Sequence, residues 1–165
     1  MAKRILLAGT LTAITDGLFS SVLKVAAYHS TVARLFQGVA AVPLGPAALT
    51  GGTRTAAIGV LMHCGVALWW STVFALLAAR SASLRNALRS GVGIVAVAAV
   101  YGPFVWMAMS LLVIPALLHR PTAITGRWWV QLVGHFPFVG LPIVASIAGL
   151  PHLRPSGSRL SRAPS

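Results

Sequence analysis

Acidic residues are all but missing from this sequence. Its 165 residues include one acid, Asp16, against 13 lysines and arginines, and charged side chains of both signs make up 8%. A soluble domain carries about 25% charged residues to keep its surface wet. So sparse a set cannot cover a water-facing globule, and a single carboxylate excludes chemistry that needs a carboxylate pair. The one cysteine, Cys64, excludes an intramolecular disulfide and reads as a small buried hydrophobe. No G-x-S-x-G elbow surrounds a serine, and no phosphate loop or dinucleotide fingerprint is present. His63 and Cys64, as chain neighbours, project about 100° apart on a helix and cannot grip one metal together. The expectation is a protein that is not an enzyme, with no catalytic residues, no cofactor and no metal site.

Apolar sequence is abundant, at 57% of residues. The runs without charge are long: 25 residues between Arg54 and Arg80, 30 between Arg89 and Arg120, and 26 between Arg127 and Arg154. Each exceeds the roughly 20 residues with which a helix crosses about 30 Å of hydrocarbon. The runs are rich in Ala and Leu and do not alternate, which favours helices over a barrel. The expected fold is an all-α membrane protein, a bundle of four transmembrane helices at about 5–28, 54–79, 90–118 and 128–150. The first span carries Asp16 near its middle. Lys3 and Arg4 before Ile5–Ile14 resemble a signal peptide, but the apolar stretch runs on to Tyr28, which fits a first span better.

Between spans one and two, Val32, Leu35, Phe36 and Val39 recur at helical spacing, with Arg34 and Gln37 on other faces. This predicts a short amphipathic interfacial helix over 31–42, with a shallow re-entrant segment as the alternative. Pro43, Gly45 and Pro46 should end it, and Thr53 or Thr55 should cap span two. Gly102–Pro103 should interrupt span three, and Pro137 and Pro142 should bend span four. Residues 1–150 form one transmembrane domain. The Pro-, Ser- and Arg-rich stretch 151–165 is expected to be a disordered basic cytoplasmic tail.

The bases sit singly or in small groups between apolar runs, with no basic stripe, so nucleic acid is not an expected partner. Eight of them (Lys3, Arg4, Arg80, Arg85, Arg89, Arg154, Arg159 and Arg162) fall on one side, against Arg34, Arg54, Arg120 and Arg127 on the other. The excess places both termini in the cytoplasm, with the bilayer of the inner (plasma) membrane as the first partner. Trp128 and Trp129 suit an aromatic belt at the outer start of span four, and Lys24 can snorkel outward.

Small residues let helices approach closely. Gly9, Ala13 and Gly17 recur every four residues in span one, while Gly59 and Ala67 bracket His63 in span two. The stripe in span one serves either internal packing or self-association, so a homo-oligomer or a membrane-protein partner stays open. Each span also carries a polar residue near mid-depth: Asp16, His63, Tyr101, and Gln131 with His135. An uncompensated charge there costs at least about 2.5–3.5 kcal/mol. Three readings compete: a proton relay or ion site of Asp16, His63 and His135; an Asp16–His63 pair that only pins helices; or Asp16 bonded to Thr12, Thr15 or Ser20.

The stretches LAGTLTAITDG with Asp16, RLFQGVAAVPLGPAAL, GGTRTAAIGVLMHCGVALWW with His63, and HFPFVGLPI with His135 resemble a group of small, uncharacterised bacterial inner-membrane proteins with four helices. They cover most of residues 6–147. The resemblance implies a multi-pass membrane protein, with Asp16, His63 and His135 at the group's own polar positions, and brings no substrate with it. The functional expectation is a small transport or proton-responsive component, with a structural or partner-binding subunit as the alternative.

Overall fold

The computed structural model describes residues 1–149; the expected tail at 151–165, and residue 150 of the fourth span, lie outside them. The described residues fold as helices without strands: α1 (Ala2–Ala27), α2 (Val32–Leu44), α3 (Gly52–Arg80), α4 (Ala82–Ala87), α5 (Gly91–Leu118) and α6 (Gly126–Ala148). Four of these, α1, α3, α5 and α6, are long and apolar enough to cross a membrane. The limits of α3 and α5 lie within a few residues of the uncharged runs, because Arg54, Arg80, Arg89 and Arg120 also sit at the helix ends.

Local chemistry fixes the starts. Thr31, Ser81 and Ser90 each accept a backbone N–H three residues on, capping α2, α4 and α5. The expected threonine cap of α3 is not formed. That helix begins at Gly52 without a side-chain cap, and the Thr55 hydroxyl instead donates to the Ala48 carbonyl at 2.7 Å. Nor does Gly102–Pro103 interrupt α5. Regular helix passes through Pro103 to Met107 and then widens to i→i+5 bonding over Ala108–Val113. In α6 the widened turn, Phe136–Gly140, contains Pro137 itself. Proline has no N–H to give the carbonyl one turn back, and a wider turn absorbs the mismatch.

Glycine sets the spacing between helices. Helices α1 and α6 run antiparallel: Arg4 donates to the Ile147 carbonyl at 3.0 Å, Thr15 to that of Phe138 at 2.6 Å, and the Phe19 ring lies against Gly134. Gly9 meets Leu68 and Gly17 meets His63, so the small-residue stripe of α1 is used up against α3. A Cβ on Gly102 would overlap the His135 carbonyl, and one on Gly140 would overlap that of Ala98, which puts α5 and α6 in backbone contact. Helix α2 folds back onto the first half of α3. Gly59 abuts the Phe36 carbonyl, and Arg34 and Gln37 donate to the carbonyls of Leu49 and Gly52 at 2.6 and 3.0 Å.

The apolar core gathers toward the end marked by Arg4 and Ile147. Ala8, Phe74, Ala75, Ala98, Ile143 and Val144 are essentially inaccessible there. Toward the opposite end lie the buried polar side chains of Gln37, Ser110 and His135.

Backbone contact at Gly102 makes a test. Overpacking costs about 1–3 kcal/mol, so Gly102→Ala should lower stability in detergent by that order. Gly65→Ala, whose Cβ meets open space, should be neutral or slightly stabilising. Thermal unfolding followed by circular dichroism measures both, and equal behaviour of the two variants would refute the close crossing.

Candidate functional site

The lone acid lies where three helices meet. Asp16 on α1 is mostly buried, with Oδ2 4.0 Å from Nε2 of His63 on α3. That is ion-pair range but too long for a hydrogen bond. The same Nε2 lies 3.1 Å from the Ala13 carbonyl. A carbonyl only accepts, so Nε2 carries the proton and the neutral ring keeps its lone pair on Nδ1. Gly17, one turn beyond Ala13, leaves the room His63 needs: a Cβ there would stand 3.4 Å from Nε2.

His135 on α6 is buried and completes the group. Its Nδ1 donates to the Gln131 carbonyl at 2.7 Å, which leaves Nε2 as the free lone pair of the neutral ring. The Trp106 ring packs on it with centroids 4.8 Å apart. Trp106 had no place in the sequence argument, because an indole in an apolar run reads as core.

Several buried polar atoms around this group have no hydrogen-bond partner: Asp16 Oδ1, Thr12 Oγ1, Gln131 Oε1 and Trp106 Nε1. Thr12 lies one turn from Asp16 on α1, and Gln131 lies one turn from His135 on α6. The antiparallel pairing of α1 with α6 orders these groups along the bundle as Thr12, Asp16 with His63, His135 with Trp106, then Gln131. Buried polar atoms are nearly always satisfied, so a run of unpaired ones marks a place built for more than packing.

Of the five expected polar residues, four fall in this column. Tyr101 does not. Its hydroxyl donates to the Trp70 carbonyl at 2.7 Å, and its ring packs on Phe74 in the apolar core, because it faces α3. Asp16 makes no hydrogen bond to Thr12, Thr15 or Ser20; Thr15 instead serves carbonyls on α1 and α6. The two adjacent tryptophans also part company. Trp129 is exposed, whereas Trp128 turns inward and donates to Ser110 Oγ at 3.0 Å. The packing residues Gly9, Gly17, Gly59 and Ala67 are buried as their spacing implied; Ala13 is half-buried and contributes its carbonyl. Cys64 is only partly buried, and among the described residues no three His, Cys or acidic side chains gather as a metal site.

The Asp16–His63 approach can be measured by a double-mutant cycle in detergent. Groups in direct contact show coupling of about 0.5–3 kcal/mol. Asp16→Asn, His63→Ala and the double variant should therefore be non-additive by at least the lower figure, and strict additivity would show the two side chains to be independent. No protein-family model, curated protein or solved structure matches this chain.

Proposed function

We propose that this chain is a multi-pass membrane protein of the inner (plasma) membrane, related to the four-helix group it resembles, and that its Asp16–His63–His135 column is a proton-responsive element rather than an enzyme centre. Both termini face the cytoplasm in this reading, which puts α2 and the Gln131 end of the column on the external side. One observation carries it: the only acid in the chain approaches the His63 imidazole to 4.0 Å with its other carboxylate oxygen unpaired. Structural glue would satisfy both oxygens, because a buried unsatisfied acceptor costs about 1–3 kcal/mol.

The chemistry suits a sensor. Histidine is the side chain whose unperturbed titration falls at physiological pH. A proton taken up by either imidazole meets a carboxylate that can neutralise it, which draws α1 toward α3 or α6. Toward the Arg4 end the bundle is filled by Phe74, Ile143 and Val144, all fully buried. Access from one side favours sensing over passage, and a transport role would need further subunits. The second reading, a structural pin, is favoured by the His63–Ala13 hydrogen bond, which already ties α3 to α1.

Trp106 supplies the test, since a protonated imidazole in contact with an indole quenches its emission. Keep Trp106 as the sole tryptophan, reconstitute the protein in vesicles of known orientation, and step the pH from about 8 to 5, the range histidine spans. Emission should fall when the α2 side is acidified and hold when the opposite side is. The response should vanish in His135→Gln and weaken in Asp16→Asn. A flat signal, or one indifferent to both substitutions, would leave the pin as the better account.

A further inference from the structure

A shallow groove of about 520 Å³ runs between α1 and α6, lined by Phe19, Trp129, Val130, Val133, Pro137 and Phe138, with Gly134 in its floor. We propose that it seats one acyl chain of an anionic phospholipid whose phosphate is held by Arg127. The inference shares only the membrane placement with the function proposed above and does not depend on the polar column.

Dimensions support an acyl chain. From Phe138 to Trp129 the helix rises roughly 14 Å at 1.5 Å per residue, the depth of one leaflet of a hydrocarbon layer about 30 Å thick. The walls are apolar, and the volume lies within the roughly 300–1,000 Å³ of ordinary ligand sites. The stacked rings of Phe19 and Phe138, 4.6 Å apart, make a flat floor, and the missing side chain at Gly134 lets the Phe19 ring lie close against α6.

Charge supports the headgroup. Arg127, Val130 and Gly134 follow at i, i+3 and i+7, so Arg127 stands on the grooved face of α6, at its outer end. Its guanidinium lies 4.1 Å over the Tyr28 ring, a contact that restrains the side chain without using its N–H donors. No acidic side chain serves it, because the only one is Asp16, in the bundle interior. A phosphate supplies the missing charge and matches the planar donor fork. Exposed Trp129 stands beside it at the level where indoles meet headgroups.

The experiment is native mass spectrometry of the detergent-solubilised full chain, titrated with phosphatidylglycerol or phosphatidylcholine micelles. The wild type should retain one phosphatidylglycerol and prefer it over phosphatidylcholine by about fivefold, the scale of one basic side chain at an anionic surface. Arg127→Gln should abolish the preference. Val133→Trp, which fills the groove from an exposed position, should reduce retention of both lipids. Circular dichroism and gel filtration confirm that each variant is folded. Equal retention of the two lipids by the wild type, or variants that bind as it does, would overturn the proposal. So would disulfide crosslinking of two copies through Val133→Cys in a Cys64→Ala background, which would assign the groove to a second copy. Lipid selectivity could fail while the Trp106 response persists, so the two proposals fall separately.

Discussion

Close approach of helix backbones is the constraint on which this structure depends. Gly102 and Gly140 bring α5 against α6, Gly9 and Gly17 bring α1 against α3, and Gly59 brings α2 onto α3. Dispersion falls off steeply with separation, so helices that touch gain far more than helices held apart by side chains. The polar column follows from the same spacing. Gly17 lies in ordinary contact range of His63, and the His135 carbonyl is pressed against Gly102. A side chain at Gly9, Gly59, Gly102 or Gly140 would widen its crossing and separate the groups that meet there.

The legible part of the sequence was the part governed by one-dimensional rules. Runs without charge gave the four long helices, and the four-residue period of Gly9, Ala13 and Gly17 marked a packing face. Asp16 and His63 stood out as ionisable residues in apolar surroundings. What escaped depended on rotation and on partners distant in sequence. Tyr101 was placed at the right depth, but its azimuth sends it to Trp70 rather than toward Asp16. Gly102 with Ala98 marks a packing face from spacing alone, but the expected break at Gly102–Pro103 does not form, and Gly102 admits the His135 carbonyl. Trp128 and Trp129 are adjacent, so at 100° per residue only one of them could face outward. A single sequence holds no information about which faces of α5 and α6 meet.

Proline shapes the site more quietly than a break would. Pro137 sits in a widened turn directly after His135, and a widened turn shifts every later residue around the helix axis. The residues before it (Gln131, Gly134 and His135) address α1 and the polar column, while those after it (Val139, Ile143 and Val144) address the apolar core. One helix thus serves two environments, and the change between them falls where the missing N–H loosens the ladder.

Charge imbalance has a consequence that reaches beyond the fold. With 13 bases and a single buried acid, almost none of the surface charge can be neutralised within the chain. At physiological ionic strength the Debye length is about 8 Å, so salt shields exposed bases from one another but gives none of them a fixed partner. For most arginines here that suffices. Arg127 differs in its place, held over the Tyr28 ring at 4.1 Å beside the apolar groove of α6. A restrained side chain loses less freedom on meeting an anion than a mobile one does. The fixed base and the apolar groove on one face of α6 therefore form a single amphipathic surface, charged at the outer end and greasy below, whose complement has the same polarity along its length.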